Sequence, residues 1–118
     1  MAQKKHNLEI LAPARNEIHE IARLHLALVG PVSARKITDK IKDSLAHLRT
    51  YPLMGMPVED KTLRQLGYRR LICGNYLCFY RLEGDNIYLH HVADGRTDYK
   101  KIFTRMATKH DEKTLAVF

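Results

Sequence analysis

Leu66-Gly67-Tyr68-Arg69-Arg70-Leu71-Ile72-Cys73-Gly74-Asn75-Tyr76-Leu77-Cys78-Phe79-Tyr80-Arg81-Leu82 is the stretch that decides the fold. Residues Leu66 to Cys73 are rich in strand formers, and Gly74-Asn75 supplies a two-residue turn. From Tyr76 to Leu82, alternation puts Tyr76, Cys78, Tyr80 and Leu82 on one face and Leu77, Phe79 and Arg81 on the other. Apolar residues on both faces mark a central strand. Glu83-Gly84-Asp85-Asn86 makes the next turn, and Ile87 to Val92 forms a further strand. The expectation is a three-strand antiparallel meander.

Upstream the period changes. In His6 to Ala12, Leu8, Ile10 and Ala12 alternate with Asn7, Glu9 and Leu11, which reads as a short strand. Pro13 sits where a helix can begin, because the first turn needs no N–H there. Ala14, Ile18, Ile21, Ala22, Leu24 and Leu28 recur at helical spacing and predict an amphipathic helix, with Arg15, Glu17, His19, Glu20 and Arg23 on its polar side. Gly30-Pro31 ends it. Ala34, Ile37, Ile41, Leu45 and Leu48 mark a second helix from about Val32 to Thr50. So short a break predicts an antiparallel helical hairpin. Tyr51-Pro52-Leu53-Met54-Gly55-Met56-Pro57 begins a loop that runs to about Lys61 or Thr62.

Downstream, Asp94-Gly95 breaks the last strand. Asp98 is placed to cap a short C-terminal helix containing Ile102, Phe103 and Met106. A polar stretch to Glu112 and the apolar Leu115-Ala116-Val117-Phe118 follow. The fold class is therefore α+β: an N-terminal strand, a helical hairpin packed on one sheet face, the meander, and a short C-terminal helix. The chain reads as a single domain over residues 1–118, with its core at about 6–104 and a tail over 105–118.

The 118 residues carry 20 Lys and Arg against 13 Asp and Glu, a net charge of +7, which favours a polyanionic or acidic partner. Met1 to Lys5 is followed by no apolar h-region, and no stretch is long enough to cross a bilayer. No membrane association is expected, and a reducing cytoplasm is the expected location. Two cysteines, Cys73 and Cys78, make no disulfide scaffold and lack the further ligands a zinc site needs. Adjacent strand residues point to opposite faces, so His90 and His91 cannot chelate one ion together. One ring is expected to be buried or hydrogen-bonded and the other partly exposed. The sequence holds no P-loop, GxGxxG, HExxH or GxSxG pattern, and no metal or cofactor is expected.

The sharper constellation is basic. Arg64, Arg69, Arg70 and Arg81 lie in or beside the strands, and Arg96, Lys100, Lys101 and Arg105 follow the last one. Antiparallel pairing is expected to bring the two groups onto one side. Tyr68, Tyr76, Tyr88 and Tyr99 are interleaved among them. Arginine holds phosphate bidentately and tyrosine stacks on a base, so these are candidate nucleic-acid- or target-binding residues.

The segment Leu63-Arg64-Gln65-Leu66-Gly67-Tyr68-Arg69-Arg70 through Cys73 to Arg81 resembles the RelE/ParE toxin superfamily. Tyr51 to Pro57 is similar to the "P-x-x-G" loop of that superfamily. His91-Val92-x-x-Gly95-Arg96-x-Asp98-Tyr99 is similar to its closing "H…R-D-Y" signature. The resemblance covers roughly residues 6–104. It implies the toxin of a type II toxin–antitoxin module (a plasmid-stabilisation or stress module), neutralised by a cognate antitoxin protein.

Two activities come with the resemblance. ParE-like members inhibit DNA gyrase by binding it. RelE-like members are ribosome-dependent mRNA interferases, metal-independent endoribonucleases working by acid–base chemistry at the 2′-OH. On the RelE-like alternative, Arg69, Arg96, Asp98 and Tyr99 would be the catalytic residues, but Leu71 and Leu77 stand where a Lys and an Arg are expected. Gly67-Tyr68-Arg69-Arg70, Phe79-Tyr80-Arg81, Met54-Gly55-Met56-Pro57 and the long hairpin are closer to the ParE-like branch. A third implied class is a non-toxic relative that only binds an antitoxin. The resemblance leaves the oligomeric state open.

Overall fold

The structure, a computed structural model, describes residues 5–95. The C-terminal helix expected around Ile102 to Met106 and the tail lie outside these residues. Eight elements follow in chain order: β1 (Asn7–Ile10), α1 (Ala12–Leu28), α2 (Pro31–Thr50), β2 (Met56–Pro57), α3 (Lys61–Gln65), β3 (Tyr68–Cys73), β4 (Tyr76–Glu83) and β5 (Asn86–Asp94). The strands form one sheet in the order β1-β5-β4-β3-β2. The meander is its centre. The N-terminal strand lies parallel beside β5, with Leu8 opposite Ile87 and Ile10 opposite Leu89.

Local chemistry sets the boundaries. Pro13 occupies the first turn of α1, as expected, and the Leu11 carbonyl accepts from the Arg15 N–H at 3.0 Å. Gly74 and Gly84 each open a two-residue hairpin turn with φ of 63° and 59°, a backbone conformation that costs glycine little. The loop after α2 holds two elements beyond the expected ones. Met56 and Pro57 pair with Arg70 and Arg69 as an edge strand, a place in a sheet where proline is tolerated. Asp60 then caps α3, its carboxylate accepting from the Leu63 N–H at 3.0 Å. The third strand accordingly starts at Tyr68, not at Leu66, which lies at the end of α3.

The helices cover one sheet face. Ile41, Leu45 and Leu48 of α2 and Ala14 and Ile21 of α1 pack on Leu71, Cys73, Cys78, Tyr80, Ile87, Leu89 and Val92. The opposite face has its own smaller cluster, where Val58 and the partly buried Leu63 sit with Tyr68, Phe79 and Ala93. Strand β4 thus contributes buried side chains to both faces, as its alternation predicts. The α1 pattern is only half used. Leu24 and Leu28, which the spacing assigns to the buried stripe, are exposed because the closed end of the hairpin carries no buried residue.

Cys73 and Cys78 are free and buried, and the Ser44 hydroxyl donates to Cys73 Sγ at 3.4 Å. Burial pushes the Cys78 thiol up to about 12 from 9.0, with Cys73 adding to the shift. The folded state therefore keeps a proton that the unfolded chain releases near 9. This contribution to stability is complete below pH 9 and is lost as pH rises towards 12, by at most about 1.4 kcal/mol per pH unit. Urea titrations at about pH 8 and about pH 10.5 are expected to show a larger alkaline loss for the wild type than for Cys78→Ala. Equal losses would show that this thiol carries none of the alkaline limb.

Candidate functional surface

Strand alternation divides the basic residues that the sequence grouped together. Arg69 shares a face with Leu71 and Cys73, whereas Arg70 and Arg81 stand opposite Phe79 and Tyr68 on the other face. The expectation of one basic side is therefore corrected for the described residues.

Arg69 points at the loop before β2. Its Nη2 donates to the carbonyls of Gly55 at 2.6 Å and Leu53 at 3.1 Å. Tyr80, directly opposite Arg69 in the register, completes the clamp. Its hydroxyl donates to the Pro52 carbonyl at 2.8 Å and accepts from the Gly55 N–H at 3.1 Å. Gly55 is required by space. A Cβ there would lie 2.6 Å from the Arg70 carbonyl oxygen and 2.7 Å from the Tyr80 ring and hydroxyl. Two side chains of the central strands thus fix the loop that carries the exposed Tyr51, Leu53, Met54 and Met56.

On the other face, Arg81 lies over the Tyr68 ring, 5.8 Å from its centroid, and pairs with Glu83 at 3.3 Å. His90 meets the same ring edge-on at 5.0 Å. Burial raises the Tyr68 phenol above its ordinary value, and the Arg81 charge opposes that shift. Arg70 faces Glu59 at 3.7 Å, and Arg64 on α3 reaches the Glu59 carbonyl at 3.5 Å. The far-face arginines are thus drawn into contacts with Glu59, Glu83 and Tyr68 and do not form a bare cationic strip.

Strand β5 carries a bulge. Phe79 pairs with His91 and Tyr80 with Leu89, so His90 is the extra residue. The two histidine rings do go to different neighbours, as expected. His90 meets Tyr68, and His91 Nδ1 meets Glu17 Oε1 of α1 at 2.8 Å. Both rings are buried, at 6% and 4% exposure, which corrects the expectation that one would be partly exposed. The same Glu17 oxygen accepts from the Val92 N–H at 3.1 Å. Glu17, which helical spacing placed on the polar side, is the residue that holds the bulge. No signal in the sequence could have found it, since its partners lie more than seventy residues away.

The described chain ends beside the β3–β4 turn, where the Gly95 N–H donates to the Asn75 carbonyl at 2.8 Å. A recess of about 570 Å³ opens there, lined by His25, Ile72, Asn75, Tyr76, Leu77 and Asp94 among others. His25 bridges three elements, with Nδ1 at 2.9 Å from Ser33 Oγ and Nε2 at 2.9 Å from Tyr76 Oη. The candidates Arg96, Asp98, Tyr99, Lys100, Lys101 and Arg105 lie outside the described residues. Leu71 is buried in the helix-side core and Leu77 packs on the far-side cluster. No group of three or more His, Cys, Asp or Glu among the described residues is arranged to hold a metal ion.

The family model for the ParE toxin of the type II toxin–antitoxin system parDE matches residues 8–99. The chain belongs to the ParE toxin family, within the RelE/ParE superfamily. Solved structures share the fold. A chain of the chromosomal ParDE TA system from P. aeruginosa superposes with a TM-score of 0.65 at 20% identity, over 78% of this chain and 98% of that one. A chain of the toxin–antitoxin complex RelBE2 from Mycobacterium tuberculosis gives 0.54 at 19% identity, over 76% and 98%. No curated protein matches this sequence. Among the described residues of this ParE-family chain, no helix is long and apolar enough to cross a membrane.

Proposed function

We propose that this ParE-family toxin arrests growth by binding DNA gyrase in the cytoplasm, without chemistry of its own, and that a cognate antitoxin neutralises it. One observation carries the choice between the two branches. The positions where the ribonuclease branch needs a lysine and an arginine hold Leu71, packed in the core, and Leu77, packed on the far cluster. A buried, unpaired cation at position 71 would cost several kcal/mol in desolvation, and the half-buried Leu77 offers a phosphate no charge, so the present residues suit a binder and not a phosphoryl-transfer site. The one described residue of the ribonuclease set, Arg69, is committed to the loop clamp. The net charge of +7 and the exposed edge at β2 suit an acidic antitoxin segment that adds a strand there.

A supercoiling assay with purified gyrase and purified toxin tests this reading. Inhibition that is relieved by equimolar antitoxin is the expected result. Unimpeded supercoiling, together with cleavage of mRNA on purified ribosomes, would replace it with the ribonuclease reading.

A further inference from the structure

From Ala22 to Lys40 no residue is buried, although this span includes the end of α1, the connection and the first half of α2. The closed end of the hairpin therefore adds no fully buried side chain to the core, and Ile37 packs there only partly buried. This end is held rather than loose, since His25 ties α1 to Ser33 of α2 and to Tyr76 of β4. Its outermost side chains are apolar. Leu28, Val29 and Val32 are 80%, 73% and 68% exposed, and the exposed Leu24 lies one turn before Leu28 on the same side of α1. A hairpin tip in water is ordinarily polar, and contiguous exposed apolar side chains rimmed by polar ones mark an interaction site. The rim here is cationic. Arg35, Lys36 and Lys40 are exposed on α2 with a single carboxylate, Asp39, among them, and no ion pair among the described residues engages the three cations.

We infer that this hairpin end is the knob by which the toxin seats in its target, a folded protein with an apolar recess and an acidic rim. The inference rests on the reading above, that the toxin acts by binding a protein. Charge complementarity selects the occupant. A second copy would bring two sets of Arg35, Lys36 and Lys40 together on a chain of net charge +7. A nucleic acid would gain nothing from three aliphatic side chains at the tip. An exposed apolar tip needs a socket, which a folded partner supplies, whereas an extended antitoxin segment needs an edge or groove such as that beside β2.

Two variants test it: Leu28→Gln with Val32→Gln, which removes the apolar tip, and Lys36→Glu with Lys40→Glu, which inverts the rim. All four side chains are exposed, so both proteins are expected to fold and to bind the antitoxin within about twofold of the wild type. Growth arrest on induction is expected to be lost in both, and affinity for purified gyrase to fall by about tenfold or more. Undiminished arrest in either variant would overturn the inference. Loss of antitoxin binding with either variant would also overturn it, assigning the knob to the antitoxin. Wild-type toxin that arrests growth but does not bind gyrase would sink the gyrase reading alone, and the arrest of the variants would still decide the knob.

Discussion

Gly55→Ala is expected to destabilise the protein by about 3 kcal/mol, roughly 10 °C in Tm, although the change adds a single methyl group to a loop. The new Cβ would meet the Arg70 carbonyl oxygen at 2.6 Å, and that atom belongs to a strand paired on both sides. Relief would require the loop to withdraw from Tyr80 and Arg69, giving up the hydrogen bonds that seat it. Removing the Tyr80 hydroxyl would not help, because the backbone oxygen remains. Gly55→Ala and Gly55→Ala with Tyr80→Phe are therefore both expected to melt well below the wild type. A Gly55→Ala protein within about 1 kcal/mol of the wild type in a urea titration would show that the loop has no such tight seat.

Glu17→Ala is the second large effect, at about 3 kcal/mol. One carboxylate oxygen receives both His91 Nδ1 and the Val92 N–H, at a bulge on the strand next to the sheet's parallel edge. Truncation would strip a charge-assisted bond from a buried ring and leave a buried backbone donor unsatisfied, each worth about 1–3 kcal/mol. Glu17→Gln keeps an acceptor of the same shape and is expected to lose about half as much. Amide exchange reads the site directly, and Val92 should exchange much faster in Glu17→Ala than in Glu17→Gln. Equal protection of Val92 in all three proteins would mean that α1 does not hold the bulge.

The parts of this fold that the sequence made legible are those where local chemistry is strong. The alternation from Tyr76 to Leu82, the glycine-led turns at Gly74 and Gly84, and Pro13 ahead of a 3.6-residue period each act within a few residues, and the structure follows them. The parallel place of β1 was not legible, because alternation marks a strand without naming its neighbour. A two-residue strand such as Met56-Pro57 has no period to read. The exposure of Leu24 and Leu28 was hidden for a related reason: spacing reveals an apolar stripe but not how far the sheet beneath it extends. The separation of Arg69 from Arg70 was available, since adjacent strand residues always diverge; only the grouping by sequence position obscured it.

In the candidate site, the charges were visible and their engagements were not. Arg69 was marked by its place in a familiar pattern, and nothing local foretells that it would donate to Leu53 and Gly55, some fifteen residues back. Glu17, His25 and Tyr80 do their work through partners on other elements, and only tertiary geometry reveals such residues.

We propose that this ParE-family chain stops growth by binding gyrase and not by cutting RNA. Pulse-labelling of DNA and protein synthesis in bacterial cells after induction tests it most directly. DNA synthesis is expected to fall first while translation continues. Translation failing first, with DNA synthesis intact, would contradict it.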